Sequence, residues 1–210
     1  MLKLQQKLIF DPLSDDSMIA CKDPDSGNVY RRLVGGIAWP GIEPGFAVIL
    51  GEDAEKDIEM NVYHYRILDE KEDLDIDQLL AWCEMTEINS SVGWQWYGNP
   101  QNKTAMAFVW PRRDKAEKEG RRILSIAPSP YTDNSKGFEF ALNLLRRRLK
   151  KDHKTLHLGA DSRLPSYLSA LSSTDLKDAT AEDHPAVAAL GYAVAALETW
   201  PESGLLRIHG

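Results

Sequence analysis

Three short apolar segments joined by turns constrain the fold of this chain most strongly. They cover residues 33–39, 46–51 and 61–68. The first two are almost wholly apolar, which is typical of strands buried on both faces, and the third alternates and is rich in β-branched and aromatic residues. Glycine and proline fill residues 40–45 and indicate a turn. Because the connections are too short for crossover helices, the pattern predicts an antiparallel meander.

The hydrophobic pattern changes to a helical period after the third strand. The clearest helix is predicted over residues 136–151, whose apolar side chains recur three and four positions apart. Further helices are predicted over 73–88, where Asp73 can cap the first turn, and over 164–171 and 185–198. Short strands are predicted over 91–97, 121–126 and 155–159, and residues 102–110 are read as a short helix that Pro111 terminates.

This order of elements predicts the fold class. Antiparallel strands followed by helix-linked strands favour an α/β domain with a mixed sheet flanked by helices. No internal repeat or low-complexity tract divides the chain. We therefore expect an N-terminal extension over residues 1–32, one domain over 33–200 and a C-terminal tail over 201–210.

Composition narrows the class of protein. Hydrophobic residues make up 43% of the chain and charged residues 27%, which is typical of a folded globular domain. No apolar run reaches the roughly 18 residues of a membrane helix, and no cleavable apolar leader is evident, so we expect no membrane association. The two cysteines, Cys21 and Cys83, are too few for a disulfide framework. These features favour a cytoplasmic protein, with Cys83 in the core.

Charge is distributed unevenly along the chain. The formal net charge is −7, which argues against bulk attraction to nucleic acid. Residues 51–90 contain 13 acidic and 3 basic side chains, whereas residues 121–154 contain 9 basic and 3 acidic ones. This polarity would let a polyanion approach one face, although two solvated faces of a soluble protein explain it equally well.

Aromatic and basic residues in the middle of the chain are candidates for nucleic-acid contact. A tryptophan-rich segment at period two is followed by arginines, and such a set can stack bases and contact phosphates. The alternative is that the tryptophans belong to the core and the arginines to solvated helix surfaces. The candidate nucleic-acid-binding residues are Trp96, Arg121, Arg122 and Arg146.

Four short motifs carry a resemblance to a known family. The segments GGIAW (35–39) and GFAVI (45–49) resemble the first hairpin of the ribonuclease H-like nuclease domain of phage large terminases. The sequence EDH (182–184), which enters an alanine-rich helix, resembles the final acidic motif of that family. The segment WYGN (96–99) stands where those nucleases end their fourth strand with an acidic residue. The resemblance covers about residues 30–200 and implies a ribonuclease H-like fold in a phage or prophage protein.

The resemblance also implies a site and its chemistry. In that family two Mg²⁺ or Mn²⁺ ions, held by carboxylates from the first strand, the fourth strand and the last helix, hydrolyse a phosphodiester bond. It implies that Glu182 and Asp183 are metal ligands and that His184 positions groups or transfers a proton, with Glu43 as a substitute ligand. Two of the three carboxylate positions are occupied by Ala38 and Asn99.

These departures leave three functions open. Alanine binds no metal and asparagine offers a neutral oxygen, so a catalytically degenerate ribonuclease H-like module that binds nucleic acid or takes part in assembly is favoured. The second hypothesis is a metal-dependent DNA endonuclease of the terminase type. The third is an unrelated α/β interaction protein that self-associates through its alanine- and glycine-rich last helix. Expected partners are accordingly DNA, phage packaging proteins or other proteins. For Glu182 and Asp183, capping of the last helix is the structural alternative.

Overall fold

The computed structural model shows a mixed sheet flanked by helices, as the sequence predicts at this level. It describes residues 11–13, 20–23, 26–90, 93–121, 124–129, 135–150, 154–159, 161–171 and 180–199. Within them the strands are β1 (Asp11–Leu13), β2 (Ala20–Lys22), β3 (Val29–Ala38), β4 (Gly45–Asp57), β5 (Val62–Asp73), β6 (Gln95–Gly98), β7 (Ile126–Pro128) and β8 (Leu156–His157). The helices are α1 (Ile76–Asn89), α2 (Lys103–Lys118), α3 (Ser135–Arg148), α4 (Leu164–Leu171) and α5 (Pro185–Thr199).

The predicted meander is formed by β3, β4 and β5. Consecutive strands pair antiparallel, with Ala38 opposite Phe46 in the first hairpin and Gly45 opposite Asp73 in the second. β4 and β5 continue well beyond the apolar segments that predicted them. Their polar ends still pair through the backbone, and ion pairs such as Arg66 with Asp53 lie across them. Hydrophobic pattern alone therefore underestimates the length of this hairpin.

Parallel strands extend the meander on both sides. β6 pairs parallel with β3, and β7 pairs parallel with β6, so the order across this part of the sheet is β5-β4-β3-β6-β7. β8 pairs parallel with β5 at the other edge. β2 pairs antiparallel with the first residues of β3, and β1 pairs antiparallel with β2. Part of the predicted N-terminal extension therefore belongs to the sheet.

Helices cover both faces of the sheet and create two cores. Along β4, Val48 and Leu50 belong to a cluster that includes α3 and α5, whereas Ala47 and Ile49 belong to one that includes α1 and α2. Successive side chains of a strand point to opposite faces, so a continuous apolar run serves both cores. Cys83 of α1 is completely buried in the second cluster, as predicted.

The alanine-rich helix α5 lies directly on the centre of the sheet. A Cβ atom added at Gly36 of β3 would stand 1.9 Å from the carbonyl oxygen of Ala189. Residues 186–197 of α5 are buried within the chain. The small side chains therefore serve a close helix-to-sheet contact, and the hypothesis that this helix mediates self-association is wrong for that surface.

Three further differences from the sequence prediction concern α2, α1 and the region of β7. α2 continues through Pro111, which is exposed, although its ring nitrogen cannot donate the helical bond to Ala107. α1 begins two residues later than a cap at Asp73 would place it, because Asp75 is its N-cap. The side chain of Asp75 accepts a hydrogen bond from the backbone N–H of Asp77 at 2.8 Å. Residues 122 and 123 of the predicted strand over 121–126 lie outside the described residues, and Ile126 belongs to β7.

Candidate functional site

A cavity of about 230 Å³ lies where β3 and β6 end. The two strands are parallel neighbours, so their carboxyl ends meet at the same edge of the sheet. Ala38 closes β3, and Asn99 directly follows β6. Side chains from the first turn of α2, from the segment before α5 and from α5 itself complete the wall. The lining residues are Ala38, Trp39, Pro40, Gly41, Ile76, Asn99, Asn102, Thr104, Ala181, Glu182 and Tyr192.

Hydrogen bonds fix the asparagine side of this cavity. The indole N–H of Trp39 donates to the backbone carbonyl of Asn99 at 2.9 Å, which ties the end of β3 to the end of β6. The side-chain oxygen of Asn99 accepts from the backbone N–H of Gln101, and that of Asn102 caps α2 by accepting from Ala105. These oxygens have structural partners of their own, as expected where a strand turns sharply into a helix.

The predicted metal ligands do not converge on one point. Glu182 lines the cavity described above, whereas Glu43, Asp183 and His184 line a second cavity of about 230 Å³. Among the described residues there is no group of three histidine, cysteine or acidic side chains that could hold a metal ion. Glu182 therefore lines a different cavity from Asp183 and Glu43, although Glu182 and Asp183 are neighbours in the chain.

Asp183 is held by the turn before α5. Its carboxylate accepts from the backbone N–H of Thr180 at 3.0 Å and from the hydroxyl of Thr180 at 2.8 Å. These hydrogen bonds favour the ionised form and lower the pKa of Asp183. The ring of His184 stacks on Phe138, with 5.9 Å between the ring centroids. Asp183 therefore stabilises the turn that precedes α5.

The candidate nucleic-acid-binding residues are scattered. Trp96 is completely buried, and its indole N–H donates to Glu87 at 2.6 Å, so the proposed base stacking by Trp96 is corrected: no face of its ring is open to a ligand. Arg121 forms an ion pair with Glu119 at 2.6 Å. Arg146 is exposed on α3, and Arg122 lies outside the described residues.

Sequence reasoning missed two aromatic residues of the first cavity. Trp39 was read only as the end of a strand, although it follows the position at which the resemblance expects a carboxylate. Tyr192 is the only aromatic residue in the sequence of α5, and that contrast with its alanine neighbours was a usable signal. Both side chains are more than nine-tenths buried, and both line the cavity.

Comparisons with known proteins leave the site to be interpreted from its own geometry. No protein-family model, no curated protein and no solved structure matches the chain. None of the helices in the described segments has the length and apolar character needed to cross a bilayer.

Proposed function

We propose that this chain is a catalytically degenerate ribonuclease H-like module that acts by binding in a phage or prophage setting. One observation carries the proposal: Ala38, Asn99 and Glu182 line a single cavity at the joined ends of β3 and β6. Ala38 and Asn99 stand at two of the three positions at which the terminase resemblance expects metal-binding carboxylates, and Glu182 is one of the two acidic residues, with Asp183, at the third. The strand order β5-β4-β3-β6-β7, with a meander on one side and parallel strands on the other, supports the same assignment.

The residues present do not fit a two-metal centre. Hard divalent cations are held by several oxygen ligands, and two such ions close together need carboxylates to offset their repulsion. Ala38 provides no ligand. The side-chain oxygen of Asn99 is neutral and already accepts a hydrogen bond from the backbone N–H of Gln101. Within the described part of the chain, Glu182 is the one carboxylate lining this cavity. We therefore infer a binding function and not a hydrolytic one.

Plasmid nicking tests the loss of catalysis. The unmodified protein, Glu182→Gln and Asp183→Ala are incubated with supercoiled plasmid and Mn²⁺. We expect no Mn²⁺-dependent nicking by any of the three, because two carboxylate positions are filled by alanine and asparagine. Nicking by the unmodified protein that Glu182→Gln abolishes would overturn the proposal and favour the alternative, a metal-dependent DNA endonuclease.

Restoring the carboxylates tests the ribonuclease H-like assignment. The variant Ala38→Asp/Asn99→Asp should gain saturable Mn²⁺ binding in calorimetry, and adding Glu182→Gln should remove it. Ala38 is 4% exposed, so a buried aspartate there also costs stability. Asn99→Asp alone, half-exposed and nearly isosteric, provides a folded reference and should gain weaker binding. Failure of folded Asn99→Asp to gain any Glu182-dependent Mn²⁺ binding would contradict the assignment.

Exposed cations on α2 favour nucleic acid as one class of ligand. Arg113, Lys115 and Lys118 are exposed and form no ion pair with any described residue, whereas Arg112 is bound by Asp77 and Glu84 of α1. Fluorescence anisotropy with a single-stranded and a duplex oligonucleotide at low salt tests this contact. We expect salt-dependent binding that Arg113→Gln/Lys115→Gln weakens. Equal affinity in this variant, or no binding at low salt, would exclude α2 as a DNA contact.

A further inference from the structure

The first cavity combines one carboxylate with aromatic and neutral polar groups. Glu182 is exposed at its rim and has no ion-pair partner among the described residues, and Trp39 and Tyr192 form part of the wall. The hydroxyl of Thr104 and the amides of Asn99 and Asn102 complete the polar lining. This donor set differs from that of a metal site, yet it still carries negative charge.

An organic cation fits such a lining better than a metal ion does. A guanidinium or primary ammonium group is neutralised by a single carboxylate and donates its remaining N–H groups to neutral oxygens. Aromatic rings attract such cations through their quadrupoles, and the attraction strengthens where water is excluded. A volume of about 230 Å³ accommodates the end of an alkylguanidinium or alkylammonium chain.

We propose that this cavity binds an alkylguanidinium or alkylammonium cation, with Glu182 as its counter-ion and Trp39 and Tyr192 along its side. The inference rests on the proposed function, because it names what a binding module would hold at the former metal position. The cation lies on the Glu182 side of the cavity. The first turn of α2 also lines the cavity, and there the helix dipole and the exposed Lys103 disfavour positive charge.

The same chemistry can come from two sources. A free small amine would enter the cavity alone, whereas an arginine or lysine side chain would arrive on a protein partner. The probes that separate them are agmatine, which is a free alkylguanidinium, and the blocked tripeptide Gly-Arg-Gly. N-butylurea, which is neutral and of similar shape, controls for burial of the alkyl chain.

Calorimetry and amide chemical-shift titration of the full chain test the inference. We expect saturable binding of agmatine or of the peptide, with N-butylurea much weaker. Glu182→Gln should weaken binding about tenfold or more, since a charge-assisted contact is lost. Glu43→Gln is the matched control, because Glu43 lines the second cavity, and it should leave the affinity unchanged. Tighter binding of the peptide identifies a protein side chain as the occupant, and equal or tighter binding of agmatine identifies a free amine.

Two results would overturn the inference. One is the absence of saturable binding by either cation at millimolar concentration, and the other is equal affinity in the unmodified protein and Glu182→Gln. Either result leaves the ribonuclease H-like assignment intact if Asn99→Asp still gains Mn²⁺ binding. Conversely, cation binding without any gain of Mn²⁺ binding would retain the cavity site and remove the assignment.

Discussion

At the scale of single residues, one carboxyl group is held in an unfavourable environment. Asp69 of β5 is largely buried, and burial raises its pKa to about 6. Its carboxylate accepts a hydrogen bond from the neighbouring backbone N–H of Glu70 at 2.8 Å, which offsets only part of the desolvation. Compared with the unfolded chain, the folded state therefore disfavours the ionised form of Asp69, in contrast to Asp183, whose pKa is lowered by hydrogen bonds from Thr180.

Asp69→Asn should stabilise the protein at alkaline pH. The pKa in the folded state lies above the ordinary value of 3.8, so ionisation of Asp69 costs stability that grows as the pH rises through about 6. We expect the variant to gain on the order of 1–3 kcal/mol at pH 8 and to lose this advantage near pH 4. Urea denaturation of both proteins at several pH values measures it. A constant difference across the range would show that Asp69 does not titrate between these limits.

At the scale of elements, the contact between α5 and β3 leaves no room for a side chain. Gly36→Ala would place a Cβ atom 1.9 Å from the carbonyl oxygen of Ala189, and backbone cannot move aside as a flexible side chain can. We expect a loss of about 3 kcal/mol or more in the free energy of unfolding, measured by urea denaturation. Gly159→Ala is the matched control, because nothing lies within 4 Å of a Cβ atom there. It should change stability by less than about 1 kcal/mol. Equal effects would contradict the close packing.

Replacement of the proline within α2 is expected to raise the stability of the protein. Pro111 lies inside the helix and is exposed, so replacement disturbs no packed core. Pro111→Ala restores a backbone donor for the carbonyl of Ala107 and should stabilise the protein by about 1–3 kcal/mol. Thermal unfolding followed by circular dichroism measures the gain. A lower melting temperature would indicate that the proline ring is itself required by the local packing.

The sequence pattern predicted most of the helices and strands. It failed where contacts between residues distant in the chain determine the structure. The meander and the apolar stripe of α3 follow from local periodicity, which is why they were predictable. The N-cap at Asp75 was missed because Asp73 is an equally good capping residue and pairing with Gly45 keeps it in β5. For the site, the resemblance pointed to Ala38, Asn99, Glu182 and Asp183, and the first three of these line one cavity. The sequence could not predict that Glu182 and Asp183 line different cavities, because the directions of adjacent side chains in a turn depend on the backbone conformation of that turn.

At the scale of the whole molecule, the two cores share the same strands. Four of the six tryptophans lie in the cluster on the α1 and α2 side, and the described buried residues of the α5 side include none. β3 and β4 contribute side chains to both clusters, so neither core can be lost without the central strands. The sheet thereby couples the stability of its two faces.

This coupling predicts a single unfolding transition. Tryptophan fluorescence reports mainly the α1 and α2 side, and far-ultraviolet circular dichroism reports helices on both sides. We expect urea curves from the two probes to coincide, and Gly36→Ala, a change on the α5 side, to lower both midpoints equally. A fluorescence midpoint unmoved by that variant would mean that the two faces unfold independently.

The adjacency of Glu182 and Asp183 has a consequence for how this site can diverge. Because successive residues of one turn face separate cavities, a shift of this turn by a single residue would move one carboxylate from its own cavity into the other. Neither the strands nor α5 would need to change. Related chains could therefore acquire different ligand preferences through length variation in one short connection, while their cores keep the same sequence pattern.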